Sequence, residues 1–208
     1  MSISGEALDR GQARGTLASE VLPAAARTRS GTWLRAGALV IVGAALTAGA
    51  AQVSFKVPWT EVPYTLQTAA VLLVGTALGW RAGAASMLLY VLVGVAGAPV
   101  FSAGSHGIDQ LLGATGGYLF GFILAAALVG RLAERGWDRS PAGAAGLMAA
   151  GNLLIYLAGV PVLALVTEMT AADAVWRGAA VFLPWDAFKV VLAAGLLPLA
   201  WRAIGRRG

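Results

Sequence analysis

The chain is 208 residues long, 58% of them apolar and 12% charged, with a formal net charge of +5. A soluble domain coats itself with about 25% charged residues, and this composition would leave large apolar patches in water. A soluble globular enzyme is excluded, and the absence of cysteine also excludes disulfides, thiolate zinc sites and thiolate catalysis.

In chain order, residues 1–33 come first, with Arg10, Arg14, Arg27 and Arg29 set among glycine, serine, alanine and acids. No apolar h-region precedes the first long apolar run, so this is not a cleavable secretory signal. It reads as a disordered cytoplasmic tail, followed by one transmembrane domain over 34–208.

Six runs follow, at 36–55, 62–80, 82–108, 110–130, 140–167 and 178–201. The first five are free of charge and the last holds only Asp186 and Lys189. A helix needs about 20 apolar residues to cross ~30 Å of hydrocarbon. A β-barrel would alternate polar and apolar positions over segments of ~10 residues, whereas 69–74 and 123–129 are apolar throughout. The expected fold class is therefore an all-α integral membrane protein with six transmembrane helices.

Twelve of the fifteen basic residues fall before the first run, between runs 2 and 3, between runs 4 and 5, and after the sixth. By the positive-inside rule this places both termini in the cytoplasm of a cell-membrane protein. The positive charge is then a topology signal. Without a basic and aromatic stripe there is no argument for a nucleic-acid partner.

Within run 1, Ala44 and Ala48, like Ala45 and Gly49, form a small-xxx-small face that permits close helix contact. Chance in an alanine-rich helix competes with partner docking here. The connection from Lys56 to Tyr64 holds two prolines and two aromatics, a stiff loop able to cover an opening. Thr65 and Gln67 open run 2, and Tyr90 lies within run 3. The glycine-rich connection 99–117 supplies tight turns. Its Ser105-His106 pair superficially resembles protease residues, yet adjacent side chains do not make a nucleophile and base, and a lone histidine builds no multi-histidine metal site.

Thr115 suits the N-cap of the fourth helix, with the amides of Gly116 and Gly117 free to approach an anion and Tyr118 next. Helix capping and close packing are the alternative. Asn152 and Tyr156 share one face of run 5. Interhelical hydrogen bonding and ligand contact both account for such polar residues. In run 6, Pro184 starts a helix, Asp186 sits in its first turn, and Lys189 lies on the same face. Ionisable groups inside a span usually face a cavity, a partner or a ligand; an interfacial cap with a snorkelling lysine is the alternative. Without G-x-x-x-x-G-K-[ST] the chain has no phosphate loop for ATP.

Val62-Pro-Tyr-Thr-Leu-Gln-Thr68, Leu89-Tyr90 with Gly97-Ala-Pro-Val-Phe101, Thr115-Gly-Gly-Tyr-Leu-Phe-Gly-Phe122 and Phe182-Leu-Pro-Trp-Asp-Ala-Phe-Lys189 resemble the BioY family. These are the biotin-binding S components of energy-coupling-factor transporters, and the resemblance runs over about 36–200. Trp185 stands where the family commonly has glycine, Ala114 where it has proline, and Ser102 to His106 replace a more glycine-rich loop.

The resemblance implies a six-helix binding component that captures biotin and works with a transmembrane coupling protein and two cytoplasmic ATPases. No cofactor is implied, and biotin is the ligand. It implies contacts to the vitamin from Asp186 and Lys189, with the ureido group at that pair. The bicycle would lie on Tyr90, Phe101 and Tyr118, and the carboxylate on Thr115, Gly116 and Gly117. Ser102, Asn152, Thr65 and Gln67 complete the expected pocket, and Ala44 and Ala48 become the partner-docking face. A component for thiamine or riboflavin, an ion-coupled solitary carrier and an intramembrane enzyme are the competing readings.

Overall fold

The computed structural model describes residues 15–21 and 29–205. Among them the chain runs through α1 (Leu17–Val21), α2 (Arg29–Gln52), a hairpin of β1 (Ser54–Phe55) and β2 (Tyr64–Thr65), α3 (Gln67–Leu78) and α4 (Trp80–Val95). There follow α5 (Ile108–Leu112), α6 (Gly116–Ala133), α7 (Pro141–Thr167), α8 (Ala171–Gly178) and α9 (Leu183–Gly205), with 3-10 turns at Ser102–Gly104, Trp137–Arg139 and Ala180–Phe182. Of the stretch read as a tail, 1–14 and 22–28 lie outside the described residues. Of the described remainder, Leu17–Val21 forms α1, and α2 starts at Arg29.

Among the described residues, four stretches are long and apolar enough to cross a membrane: Trp33–Gln52, Gly116–Ala133, Pro141–Thr167 and Ala171–Ile204. The chain is a multi-pass membrane protein. The runs at 62–80 and 82–108 give shorter helices than expected, of 12 and 16 residues, or about 18 and 24 Å at 1.5 Å per residue. Gly79, at φ +84, breaks the path between α3 and α4 with a backbone conformation that L side chains rarely adopt. At the other ends of these runs the chain is spent on β2 and on the 3-10 turn at Ser102–Gly104. Irregular backbone at membrane depth is tolerated where it is buried in protein or lines a cavity, and both segments line one, as described below.

The core is centred on α6, which packs on α3, α4 and most extensively on α7. Its Ala125, Ala126, Val129 and Ala133 are fully buried, and small side chains let neighbouring backbones come close. Leu157, Leu165, Val191 and Leu196 on α7 and α9 point outward, as lipid-facing positions do. Helix starts follow local chemistry. The Ser140 hydroxyl accepts from the Gly143 amide with Pro141 in the first turn of α7, and Thr170 caps α8 by accepting from Asp173.

One end of the bundle carries Arg81, Arg131, Arg139 and Arg202 at the ends of α4, α6, α7 and α9. There Asp138 is fully buried and accepts from Trp201 Nε1–H at 2.7 Å, while the Arg139 guanidinium lies 4.2 Å from the Trp201 ring centroid. This ties the α6–α7 connection to α9. The opposite end holds the hairpin, α5, α8 and the first turns of α3, α6 and α9.

Ala44 and Ala48, the pair expected to dock a partner, lie on the packed side of α2. Ala44 is 8% exposed and belongs to the core, and Ala48 packs against the same cluster. The exposed side of α2 carries Ile41, Val42, Ala45, Leu46 and Gly49 instead. The reason is the crossing with α4: Gly43 and Thr47 meet Ser86 and Met87, which turns the Ala44 side of the helix inward.

Candidate ligand-binding site

At the hairpin end a cavity opens between α3, α6, α7 and α9. Much of its wall is apolar, from Val62, Phe101, Leu119, Phe122, Ile155 and Phe182.

The polar wall is built around α9. Leu183 and Pro184 open this helix, which places Asp186 in the first turn, where the helix dipole favours an anion. Lys189 Nζ donates to Asp186 Oδ1 at 2.9 Å and to Thr68 Oγ1 at 2.7 Å. The Tyr156 hydroxyl, from α7, donates to the other carboxylate oxygen of Asp186. The pair is 10% and 8% exposed at its side chains. Taking two charges out of water is expensive unless each is paired and hydrogen-bonded, and both conditions hold. The snorkelling alternative fails, because Lys189 is turned inward to Asp186 and Thr68.

Thr65, Gln67, Phe101, Ser102, Thr115 and Tyr118 of the expected pocket all line this cavity. Thr115 occupies the N-cap of α6 without a side-chain cap bond. Tyr118 donates to the Gly178 carbonyl at 2.9 Å, which joins α6 to α8.

Four expected residues lie elsewhere. Tyr90 is buried behind the wall. It accepts from Gln67 Nε2 at 2.8 Å, donates to the Val100 carbonyl at 3.1 Å and meets Phe101 edge-on at 5.4 Å. It therefore positions Gln67 and Phe101 without lining the chamber.

Gly116 and Gly117 serve packing. A Cβ at Gly116 would run into the Leu111 carbonyl, and one at Gly117 into the Ala158 carbonyl and Val162. Asn152 lines a separate cavity between α3, α7 and α9, one turn of α7 away from Tyr156. Tyr156, offered from sequence as a possible ligand contact, lines the cavity, and among the lining residues not singled out from sequence are Thr68, Gln110 and Trp185. Tyr156 carried the visible signal of a polar residue inside a span; Trp185 carried that of a bulky side chain in a motif otherwise made for a ligand.

A strap closes the top of the cavity. Phe55 stacks on Tyr64 at 5.1 Å, and Tyr64 meets Phe182 at a tilt of 40° with ring centroids 4.5 Å apart. Tyr64 donates to the Val181 carbonyl and Thr60 to the Arg177 carbonyl, each at 2.7 Å. Glu61 and Arg177 add an ion pair at 3.3 Å, which at 39% and 40% side-chain exposure contributes little.

Comparison with known proteins agrees with this architecture. The biotin transporter BioY of Thermotoga maritima is 39% identical over 157 residues, covering 76% of this chain and 86% of that protein. The probable biotin transporter BioY of Methanothermobacter thermautotrophicus is 42% identical over 130 residues, covering 59% and 83%. The fold superposes on the crystal structure of the S-component for biotin from an ECF-type ABC transporter with a TM-score of 0.72. That match covers 85% of this chain and 95% of the other at 18% identity. The sequence profile of the BioY family matches residues 21–206, a span that takes in every element from α2 to α9 and all the cavity-lining residues, so the chain belongs to the BioY family.

Proposed function

We propose that this chain captures biotin and serves as the membrane-embedded, high-affinity binding component of an energy-coupling-factor transporter for biotin uptake. One observation carries the reading: in a chain of the BioY family, a buried Asp186–Lys189 pair lines a chamber much of whose wall is apolar. Biotin matches that chemistry, with two ureido N–H donors and a ureido carbonyl on an apolar bicycle, and a carboxylate on a flexible chain. The protein is a transport component and not an enzyme, and biotin is its cargo.

Asp186 accepts from a ureido N–H, and Lys189 donates to the ureido carbonyl or balances Asp186. Tyr156 and Thr68 hold the two charged groups in place. The bicycle lies between Phe101, Tyr118 and Phe122, with Gln67 and Thr65 beside it. The carboxylate is directed to the edge formed by Ser102, Gln110 and Thr115. The charge-assisted bonds supply most of the orientation, since they are roughly twice as strong as neutral ones.

In the plasma membrane the bundle crosses six times, with α3 and α4 as its two short spans and the strap facing outward. The arginine-rich end and both termini are cytoplasmic, by the basic-residue asymmetry. The chain has no phosphate loop, so energy comes from a transmembrane coupling protein and two cytoplasmic ATPases. Titration calorimetry of the purified chain with biotin, thiamine and riboflavin tests the reading. Binding of biotin alone is expected, and binding of thiamine or riboflavin in its place would overturn it.

A further inference from the structure

A second cavity lies against the ligand chamber on the α3–α9 side. Leu72 and Leu73 of α3, Met148 of α7 and Phe188 and Leu196 of α9 form much of its wall. Phe188 and Leu196 are 53% and 61% exposed, so this crevice opens on the outer, lipid-facing side of the bundle. Among the described residues, only Trp185 and Lys189 line both cavities.

Lys189 is committed to Asp186 and Thr68, which leaves the indole of Trp185 as the apolar partition. The ring is held at three points. Its Nε1–H donates to the Thr65 carbonyl at 3.4 Å, its face stacks on Phe188 at 5.8 Å and 22°, and the Lys189 ammonium lies 5.5 Å from its centroid. A side chain fixed on three sides does not yield to an oversized ligand without breaking those contacts, and a packed wall resists added volume.

We propose that Trp185 is a specificity-determining residue: it ends the ligand chamber on the α3–α9 side and rejects biotin derivatives substituted on the ureido group that faces Asp186 and Lys189. This rests on the biotin reading and on that orientation of the ureido ring. Removing the indole joins the chamber to an apolar crevice that has room for an alkyl substituent. Replacing it also exposes the ion pair to the crevice, so the affinity for biotin itself falls.

The test is calorimetry on the full chain in detergent micelles, with biotin and with the two derivatives carrying one ethyl group on either ureido nitrogen. The N–H lost on alkylation is lost to both proteins alike, so the change in the ratio of affinities reads the wall. In Trp185→Ala the preference for biotin over at least one derivative is expected to shrink by about tenfold or more, the scale on which apolar pockets discriminate single carbon groups. Trp185→Phe keeps an aromatic wall and retains most of the preference.

Adding Ala69→Phe to Trp185→Ala, which fills the crevice from α3, is expected to restore it. Trp185→Leu carries the same comparison should Trp185→Ala not melt cooperatively. An unchanged preference in the Ala or Leu variant, or a shrunken one that persists with Ala69→Phe, overturns the proposal. Failure of the native chain to bind biotin would instead overturn the functional reading on which it rests.

Discussion

Lys189 Nζ sits 2.9 Å from Asp186 Oδ1, one turn further along α9, with both side chains turned into the ligand chamber. Neither charge stands alone, because Thr68 accepts from the lysine and Tyr156 donates to the carboxylate. Four side chains from three helices therefore share one network, and removing any member leaves a buried polar group short of a partner.

Asp186→Asn keeps the shape and removes the charge. It is expected to weaken biotin binding by about 1.5–3 kcal/mol, the scale of a hydrogen bond to a charged group. Thr65→Ala is expected to cost well under half of that. Titration calorimetry of the two variants checks the ranking, and equal small losses would remove Asp186 from the role given to it.

Tyr156→Phe deletes one donor to Asp186 and leaves the ring in the wall. The expected loss of affinity is about 1 kcal/mol, smaller than that of Asp186→Asn. In a double-mutant cycle the two losses should fall short of additivity, as they do for residues sharing one network. Additive losses would mean that Tyr156 acts on the ligand independently of Asp186.

Gly94 lies under the Phe101 ring, into which an added Cβ would run. Gly94→Ala is expected to destabilise the chain by about 1–3 kcal/mol through overpacking, and to weaken biotin binding because Phe101 forms part of the wall. A melting temperature equal to that of the native chain, measured in the same detergent, would contradict this.

At the other end, burial pushes the Asp138 carboxyl above its ordinary value. The bond from Trp201 and the neighbouring Arg139 charge oppose this only in part. The folded chain thus holds this proton more tightly than the unfolded chain. Its contribution to stability is fully present below the ordinary carboxylate value of about 3.9 and is lost as pH rises through the raised folded value. Asp138→Asn does not titrate. The difference in melting temperature between the two proteins should therefore move in favour of the asparagine variant as pH rises from about 4 to neutral. A constant difference would show that Asp138 ionises in the fold as it does in water.

The Asp186–Lys189 pair was legible from sequence because two charges at i and i+3 share a helix face and because charge inside a span is rare. Their partners were not, since Thr68 and Tyr156 come from α3 and α7 and only the helix crossings bring them together. The inward side of α2 was illegible for a different reason. Lipid and core are both apolar, so a spanning helix carries little amphipathic signal, and Ala44 and Ala45 look alike until Ser86 and Met87 show which side is inward. Gly116 and Gly117 read equally well as an anion-binding start or as packing contacts, and the approach of α5 and α7 decides for packing. Among the described residues, hydropathy found four stretches that are long and apolar enough to cross a membrane, and the two runs that form the shorter helices α3 and α4. It did not show that part of the second and third runs is irregular backbone lining a cavity.

Native mass spectrometry of the purified chain, loaded with biotin and released from detergent, tests the central claim most directly. The expected spectrum shows one biotin per chain for the native protein and its loss at the same ligand concentration for Asp186→Asn. A native chain that emerges without biotin, or an Asp186→Asn variant that retains it as firmly as the native chain, would contradict the account.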